Sequence, residues 1–169
     1  MIDAVIADRA AVAAFLGVLA VAAGWDVTRY RIPNGATVAV LAIWPAHAAI
    51  TLAPSAWLES VAVAAAVFAV GLLLFSRRIV GGGDVKLITA TALWAGPPAI
   101  ATLVTVTALV GGLLAVLIAS PFRYGLAMAL DKAGRIQARD AILGRAVPYG
   151  VAIAAGGWAV GLGLIVGGS

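Results

Sequence analysis

Cysteine is absent, histidine occurs once, methionine twice, and only 11% of the 169 residues are charged. Without cysteine the chain has no disulfide framework, no cysteine zinc site and no thiol nucleophile. Nor can so few charges coat a globule in water, since a soluble domain is about 25% charged and about 45–50% apolar. What is there instead is hydrocarbon: 64% of the residues are hydrophobic and the mean hydropathy is +1.12. Such a chain suits lipid as its solvent, and the expected fold class is all-α, a polytopic membrane protein. A spanning helix takes about 20 apolar residues, so six take about 120 and leave only connections between them. One transmembrane domain over 1–169 is expected.

The charges fall in clumps that mark out the spans. Arg9 to Asp26 encloses 16 uncharged residues, Arg31 to Glu59 encloses 27, Glu59 to Arg77 encloses 17, Lys86 to Arg123 encloses 36, and 24 follow Arg145. Helices are expected at about 8–27, 35–53, 56–76, 84–96, 99–120 and 146–167. The 36-residue stretch is too long for one span. Gly96-Pro97-Pro98 divides it, because proline lacks a backbone donor and restricts the residue before it. Thr51-Leu52-Ala53-Pro54-Ser55 separates helices 2 and 3 in the same way.

Lysine and arginine set the orientation. Arg29 and Arg31 lie in the first connection, Arg77, Arg78 and Lys86 around the third, and Arg123, Lys132, Arg135, Arg139 and Arg145 in the fifth. With alternating spans these ten share one side, which is expected to be cytoplasmic, and both termini face out. The net charge of +4 is then a topology signal, and nucleic acid is not needed to explain it. The amino-terminal tail with Asp3, Asp8 and Arg9 is short and slightly acidic. A cleaved signal peptide is not expected, since it would need a basic amino end.

Between helices 5 and 6 lies the only sizeable polar segment, expected as one interfacial helix over about 122–142. Phe122, Leu126, Leu130, Ala133 and Ile136 share one side of it, opposite Asp131, Lys132, Arg135 and Arg139, a pattern suited to the headgroup region of the bilayer.

Acids at the ends of membrane spans pose a functional question, because a charge at the bilayer centre costs about 2.5–3.5 kcal/mol on insertion scales. Asp26 ends helix 1 and Asp84 opens helix 4, so alternation brings both to the cytoplasmic face. Asp84 also suits a helix cap, where a carboxylate meets free amides and the positive dipole end. Asp26 opposes the dipole of its own helix, and pairing with Arg29 would offset that. Gly81-Gly82-Gly83 precedes Asp84; glycines permit another backbone to approach closely, although a flexible hinge would use them equally. Helix 4, at 13 residues, is about 20 Å long, short of a hydrocarbon core of about 30 Å.

Trp25-Asp26-Val27-Thr28-Arg29-Tyr30-Arg31-Ile32-Pro33-Asn34 resembles the first aspartate motif of the bacterial type IV prepilin peptidases. Gly81-Gly82-Gly83-Asp84-Val85-Lys86-Leu87 resembles their second, the GxGD signature with its following lysine. GxGD alone is a weak pattern; the two motifs together, two helices apart, are much more specific. The resemblance implies an intramembrane aspartyl endopeptidase of the bacterial inner membrane. Its partner is a prepilin, whose basic leader it removes at the cytoplasmic face, just before the pilin's hydrophobic helix. Asp26 and Asp84 match the family's catalytic pair, and Gly81, Gly83, Lys86 and Asn34 are expected to bind substrate or shape the site. No cofactor and no metal are implied. Longer relatives carry a cysteine-bearing zinc domain and a methyltransferase activity, for which this chain has neither cysteine nor room, so it looks like the short peptidases of Flp/Tad-type pilus systems.

Two carboxyls close together do not both ionise easily and share a proton, one serving as base and one as acid. The competing classes are a small ion-coupled transporter using the same aspartates and a non-enzymatic pilus-assembly subunit. Lys86 suits either tuning of the dyad or snorkelling to the headgroups, and Asn34 suits capping helix 2. His47 and Glu59 are expected to pair between helices 2 and 3 near the outer face, and Gly157-x-x-x-Gly161 to pack helices together.

Overall fold

The computed structural model describes residues 2–144 and 146–167, so Arg145, counted above with the basic side, lies outside the described residues. These form seven helices: α1 (Ile2–Arg29), α2 (Asn34–Thr51), α3 (Pro54–Ser76), α4 (Gly82–Ala119), α5 (Phe122–Lys132), α6 (Ile136–Leu143) and α7 (Tyr149–Gly167). Four of them, α1, α3, α4 and α7, are long and apolar enough to cross a membrane.

A buried centre is built from α1, α2, α4 and α7, with α3 packed on the outside of α4. The centre is an aromatic column. The Phe15 ring stacks on Trp94 with centroids 4.3 Å apart, His47 stacks on the same indole at 5.0 Å, and Trp94 Nε1 donates to the Val40 carbonyl at 3.0 Å. One indole thereby joins α1, α2 and α4 and keeps its own polar atom satisfied, as a buried tryptophan requires. Val12, Leu19, Leu87 and Ile153 are fully buried around it. Residues such as Leu58, Val70, Leu72 and Leu73 of α3 remain exposed, as expected of surface that faces hydrocarbon.

On α7, Gly157 lies against Leu19 and Thr91, and Gly161 lies against Leu16, whose Cδ2 would be 2.6 Å from an added Cβ. The expected small-residue packing is therefore present, because the neighbouring helices occupy the space a side chain would need.

Several expectations are corrected. The amino-terminal tail is helical from Ile2: nothing in its sequence breaks the α1 period, and Asp3 in the first turn complements the dipole. Asp8, expected in that tail, faces the core, where its Oδ1 lies 2.6 Å from His47 Nδ1. His47 is thus paired with α1, and Glu59, its expected partner, is exposed. The expected division at Gly96 stands: Gly96 has a non-helical φ of 53° and ψ of −169° and separates two helical limbs of α4. The interfacial segment is two helices, α5 and α6. Gly134 turns between them at φ 69°, a conformation glycine reaches without a Cβ penalty, and Arg139 ties α6 back to Asp131 of α5 at 2.6 Å.

Candidate active site

Two loops and three helix ends converge at one polar opening. The carboxyl end of α1 carries Asp26, the amino end of α4 carries Asp84, and the amino end of α7 begins at Tyr149. Asp26 and Asp84 both line one cavity of about 550 Å³, together with Tyr30, Arg31, Ile32, Pro33, Asn34, Gly81, Gly83, Lys86, Ala146 and Val147. The chain thus brings together acids 58 positions apart in sequence, at one polar opening.

Asp26 is 5% exposed. Its Oδ2 accepts a hydrogen bond from the Gly150 amide at 2.7 Å. That amide belongs to the first turn of α7, where N–H groups lack intrahelical partners and the dipole is positive. The amino end of α7 thereby offsets the unfavourable position of a carboxylate at the carboxyl end of α1. The expected Arg29 partner does not serve: its guanidinium lies over the Trp25 ring, 4.4 Å from the centroid. Gly150 also has to be glycine, because an added Cβ would sit 2.8 Å from Asp26 Oδ2 and 3.1 Å from its Cγ.

Asp84 is half-buried. It occupies the third helical position of α4, and its Oδ2 accepts the Gly81 amide at 3.2 Å. That is the returning half of a capping box, so Asp84 caps its helix and lines the cavity at once. Of the three glycines, Gly81 makes room for this. A Cβ on Gly81 would lie 2.8 Å from Asp84 Oδ2, one on Gly82 would lie 3.3 Å from the Phe75 ring, and one on Gly83 would lie 3.4 Å from Ile32 Cβ. Gly83 is where the Ile32-Pro33-Asn34 segment rests on the start of α4.

Lys86 Nζ donates to Asn34 Oδ1 at 3.3 Å, joining the two motif segments at the cavity rim. Asn34 therefore does not cap α2 as expected; the cap position is Pro33, with no side-chain hydrogen bond. Both side chains are exposed.

Tyr30 and Gly150 are the site residues the sequence reading lacks. Tyr30 takes a left-handed conformation at φ 50° directly after α1, which turns the chain into the cavity wall. Burial, with the Asp26 charge behind it, pushes its hydroxyl up to about 12, so the phenol keeps its proton beyond the ordinary tyrosine range. Its place just past the end of α1, three positions before Pro33, is the only signal for it in the sequence. Among the described residues no cluster of three or more His, Asp or Glu side chains is placed to hold a metal ion.

An all-helical chain with several membrane-length helices and two carboxyl groups at one polar cavity defines a helical membrane protein with the side chains for acid–base chemistry. The chain belongs to the type IV leader peptidase family, whose model matches residues 13–116, more than half of its length; it is a leader-peptidase-type protease. The matched stretch contains both aspartates and ends before α5, so Gly150 lies outside it. No curated protein and no solved structure matches the chain.

Proposed function

We propose that the chain is an intramembrane aspartyl endopeptidase that cleaves the leader from Flp-type prepilins at the cytoplasmic face of the inner membrane, with Asp26 and Asp84 as its catalytic pair. The observation that carries this reading is the shared cavity: two acids from different helices line one opening, one of them buried and both held by backbone amides. Membership of a leader peptidase family sets the reaction as peptide hydrolysis and leaves an ion carrier or an assembly subunit without support.

One carboxylate takes a proton from a water in the cavity, and the water oxygen attacks the scissile carbonyl. The other carboxyl gives its proton to the carbonyl oxygen, and the tetrahedral adduct collapses with a proton passing to the leaving amine. General acid–base assistance of this kind contributes about 10²–10⁴-fold. The pair titrates as a unit, so base and acid are roles of the dyad. Gly81 and Gly83 keep the approach to Asp84 open for an extended peptide, and the Lys86–Asn34 bond holds the rim.

The sidedness follows from the arginines and lysines of the connections. Counting α2 as a span and the Gly96 kink as a boundary within α4 gives six crossings with both termini outside. From residue 82 to the break at Gly96, α4 rises about 20 Å, short of a core of about 30 Å, so either its outer end stops early or Asp84 lies below the headgroup level. A prepilin's apolar helix would then lie among the spans while its leader junction meets the acids.

The test is the mass of a candidate prepilin after incubation with the purified protein. A product lacking only the basic leader supports the reading; an intact prepilin, with a known prepilin peptidase cleaving the same preparation, rejects it.

A further inference from the structure

Along α1, next to the catalytic cavity, lie two adjoining openings of about 540 and 560 Å³ that share Trp25, Arg29 and Gln137. Arg135 and Gln137, from the turn into α6, close one side, and Arg31 with Pro33 closes the other. Arg29 lines both openings, Arg135 lines the first and Arg31 the second, and no acidic side chain lines either among the described residues. Arg31 and Pro33 also line the catalytic cavity, so an occupant here touches the segment that carries the first motif.

The wall supplied by α1 is graded along the helix axis. Val21, Trp25 and Arg29 are four residues apart and stand one above another on one face, running from aliphatic to amphipathic aromatic to cation. Val21 and Trp25 are 59% and 40% exposed, and Arg29 is held over the Trp25 ring at 4.4 Å. A tryptophan with an arginine one turn towards water is the order of the membrane interface itself, with hydrocarbon first, then the carbonyl and glycerol level, then phosphate. A soluble anion would use the arginines alone and leave the Val21–Trp25 slope without purpose. An acidic peptide would likewise gain nothing from a gradient aligned with the bilayer normal.

We infer that the cavity between α1 and the α5–α6 turn binds one anionic phospholipid, its phosphate among Arg29, Arg31 and Arg135 and its glycerol and first acyl carbons along Trp25 and Val21. The inference rests on the proposed function only for α1 spanning the bilayer with Arg29 at the headgroup level. Binding can therefore be measured on D84N protein, independently of cleavage.

The experiment is native mass spectrometry of the purified full chain as D84N, loaded with phosphatidylglycerol or phosphatidylcholine, with soluble glycerol phosphate as competitor. The expected result is one retained phosphatidylglycerol, at least tenfold less retention by R29Q/R135Q, and unchanged retention by R77Q/R78Q, which alters two exposed arginines elsewhere. Gly24→Leu provides a second variant that leaves every charge in place: an added Cβ at Gly24 meets nothing within 4 Å, so leucine fits the helix while filling the opening that Gly24 lines. It is expected to lower retention at least tenfold as well. Equal retention by wild-type and both cavity variants overturns the inference, as does equal loss on R77Q/R78Q, or displacement by glycerol phosphate at the lipid's own concentration. Unchanged lipid retention with a raised KM for an acidic substrate peptide in R29Q/R135Q would assign the cavity to peptide instead.

Discussion

The amide of Gly150 donates to Oδ2 of Asp26 at 2.7 Å across 124 positions of sequence. This bond joins the carboxyl end of α1 to the amino end of α7 and gives a buried carboxylate the positive end of a second helix. The carboxylate sits where a side chain at position 150 would crowd it, with an added Cβ 2.8 Å from its Oδ2.

Substituting Gly150→Ala places a methyl 2.8 Å from Asp26 Oδ2 and displaces the carboxylate. Misplacing a reacting group by about 1 Å costs roughly 10²-fold in rate, so kcat for leader cleavage is expected to fall by that order while KM changes little. The crowding also costs about 1–3 kcal/mol of stability, measurable by denaturant titration. An Ala variant with unchanged kcat would show that the Gly150 contact does not hold a reacting group.

Tyr30 supplies a pH signature. Its ordinary value is 10.0, and burial, followed by the Asp26 charge, pushes it up to about 12. The sign follows from linkage: a group raised in the folded state keeps its proton after the unfolded chain has lost it, so its contribution to stability is complete below pH 10 and is lost towards pH 12. The difference between ultraviolet titrations of wild-type and Tyr30→Phe should show one tyrosinate transition near pH 12. In Asp26→Asn the transition should move down but stay above 10.0, because burial is the larger cause.

Lys86 and Asn34 form an exposed bond of 3.3 Å, and exposed charged contacts are typically worth about 0.2–1 kcal/mol. Lys86→Met and Asn34→Ala should each reduce stability by less than about 1 kcal/mol, and the double variant should lose less than the sum, as contacting residues do. A strictly additive cycle would mean that the two motif segments are not coupled through this pair.

The packing of α7 on α4 is tested at Gly156, which lies against Thr107 Oγ1 with the Leu103 carbonyl 2.8 Å from an added Cβ. Gly156→Val should cost at least about 1–3 kcal/mol, the usual range for overpacking, read as a lower midpoint of unfolding in sodium dodecyl sulfate. The same change at Gly163, where nothing lies within 4 Å, should be close to neutral.

Much of this fold is legible in the sequence because apolar runs and prolines are local signals. The gaps between charges, with Pro54 dividing α2 from α3, mark the bodies of the long helices, Gly96-Pro97-Pro98 marks the break in α4, and the two short motifs contain both acids that line the cavity. What escapes is non-local. Nothing near Gly150 in sequence says that its amide meets Asp26; only the return of α7 against α1 makes that so. His47 pairs with Asp8 and not with Glu59 because α1 continues to Ile2 and carries Asp8 to the core, whereas the charges at 3, 8 and 9 read as a tail. Asn34 has the chemistry of a cap, yet its side chain turns to Lys86, 52 positions on. Gly134 ends α5 by a positive φ within an otherwise continuous amphipathic pattern, which periodicity alone carries straight through.

The central claim is that Asp26 and Asp84 act as one unit at one cavity, and the direct measurement is kcat/KM for leader cleavage by Asp26→Asn, Asp84→Asn and the double variant, each shown to be folded and inserted. Removing a member of a unit leaves little for the second removal to take away. The expected result is that each single variant falls at least about 10²-fold, as loss of acid–base assistance worth about 10²–10⁴-fold requires, and that the double variant is no worse than either. A single variant that keeps a tenth or more of the wild-type rate, or a double variant whose loss is the product of the two single losses, would contradict it.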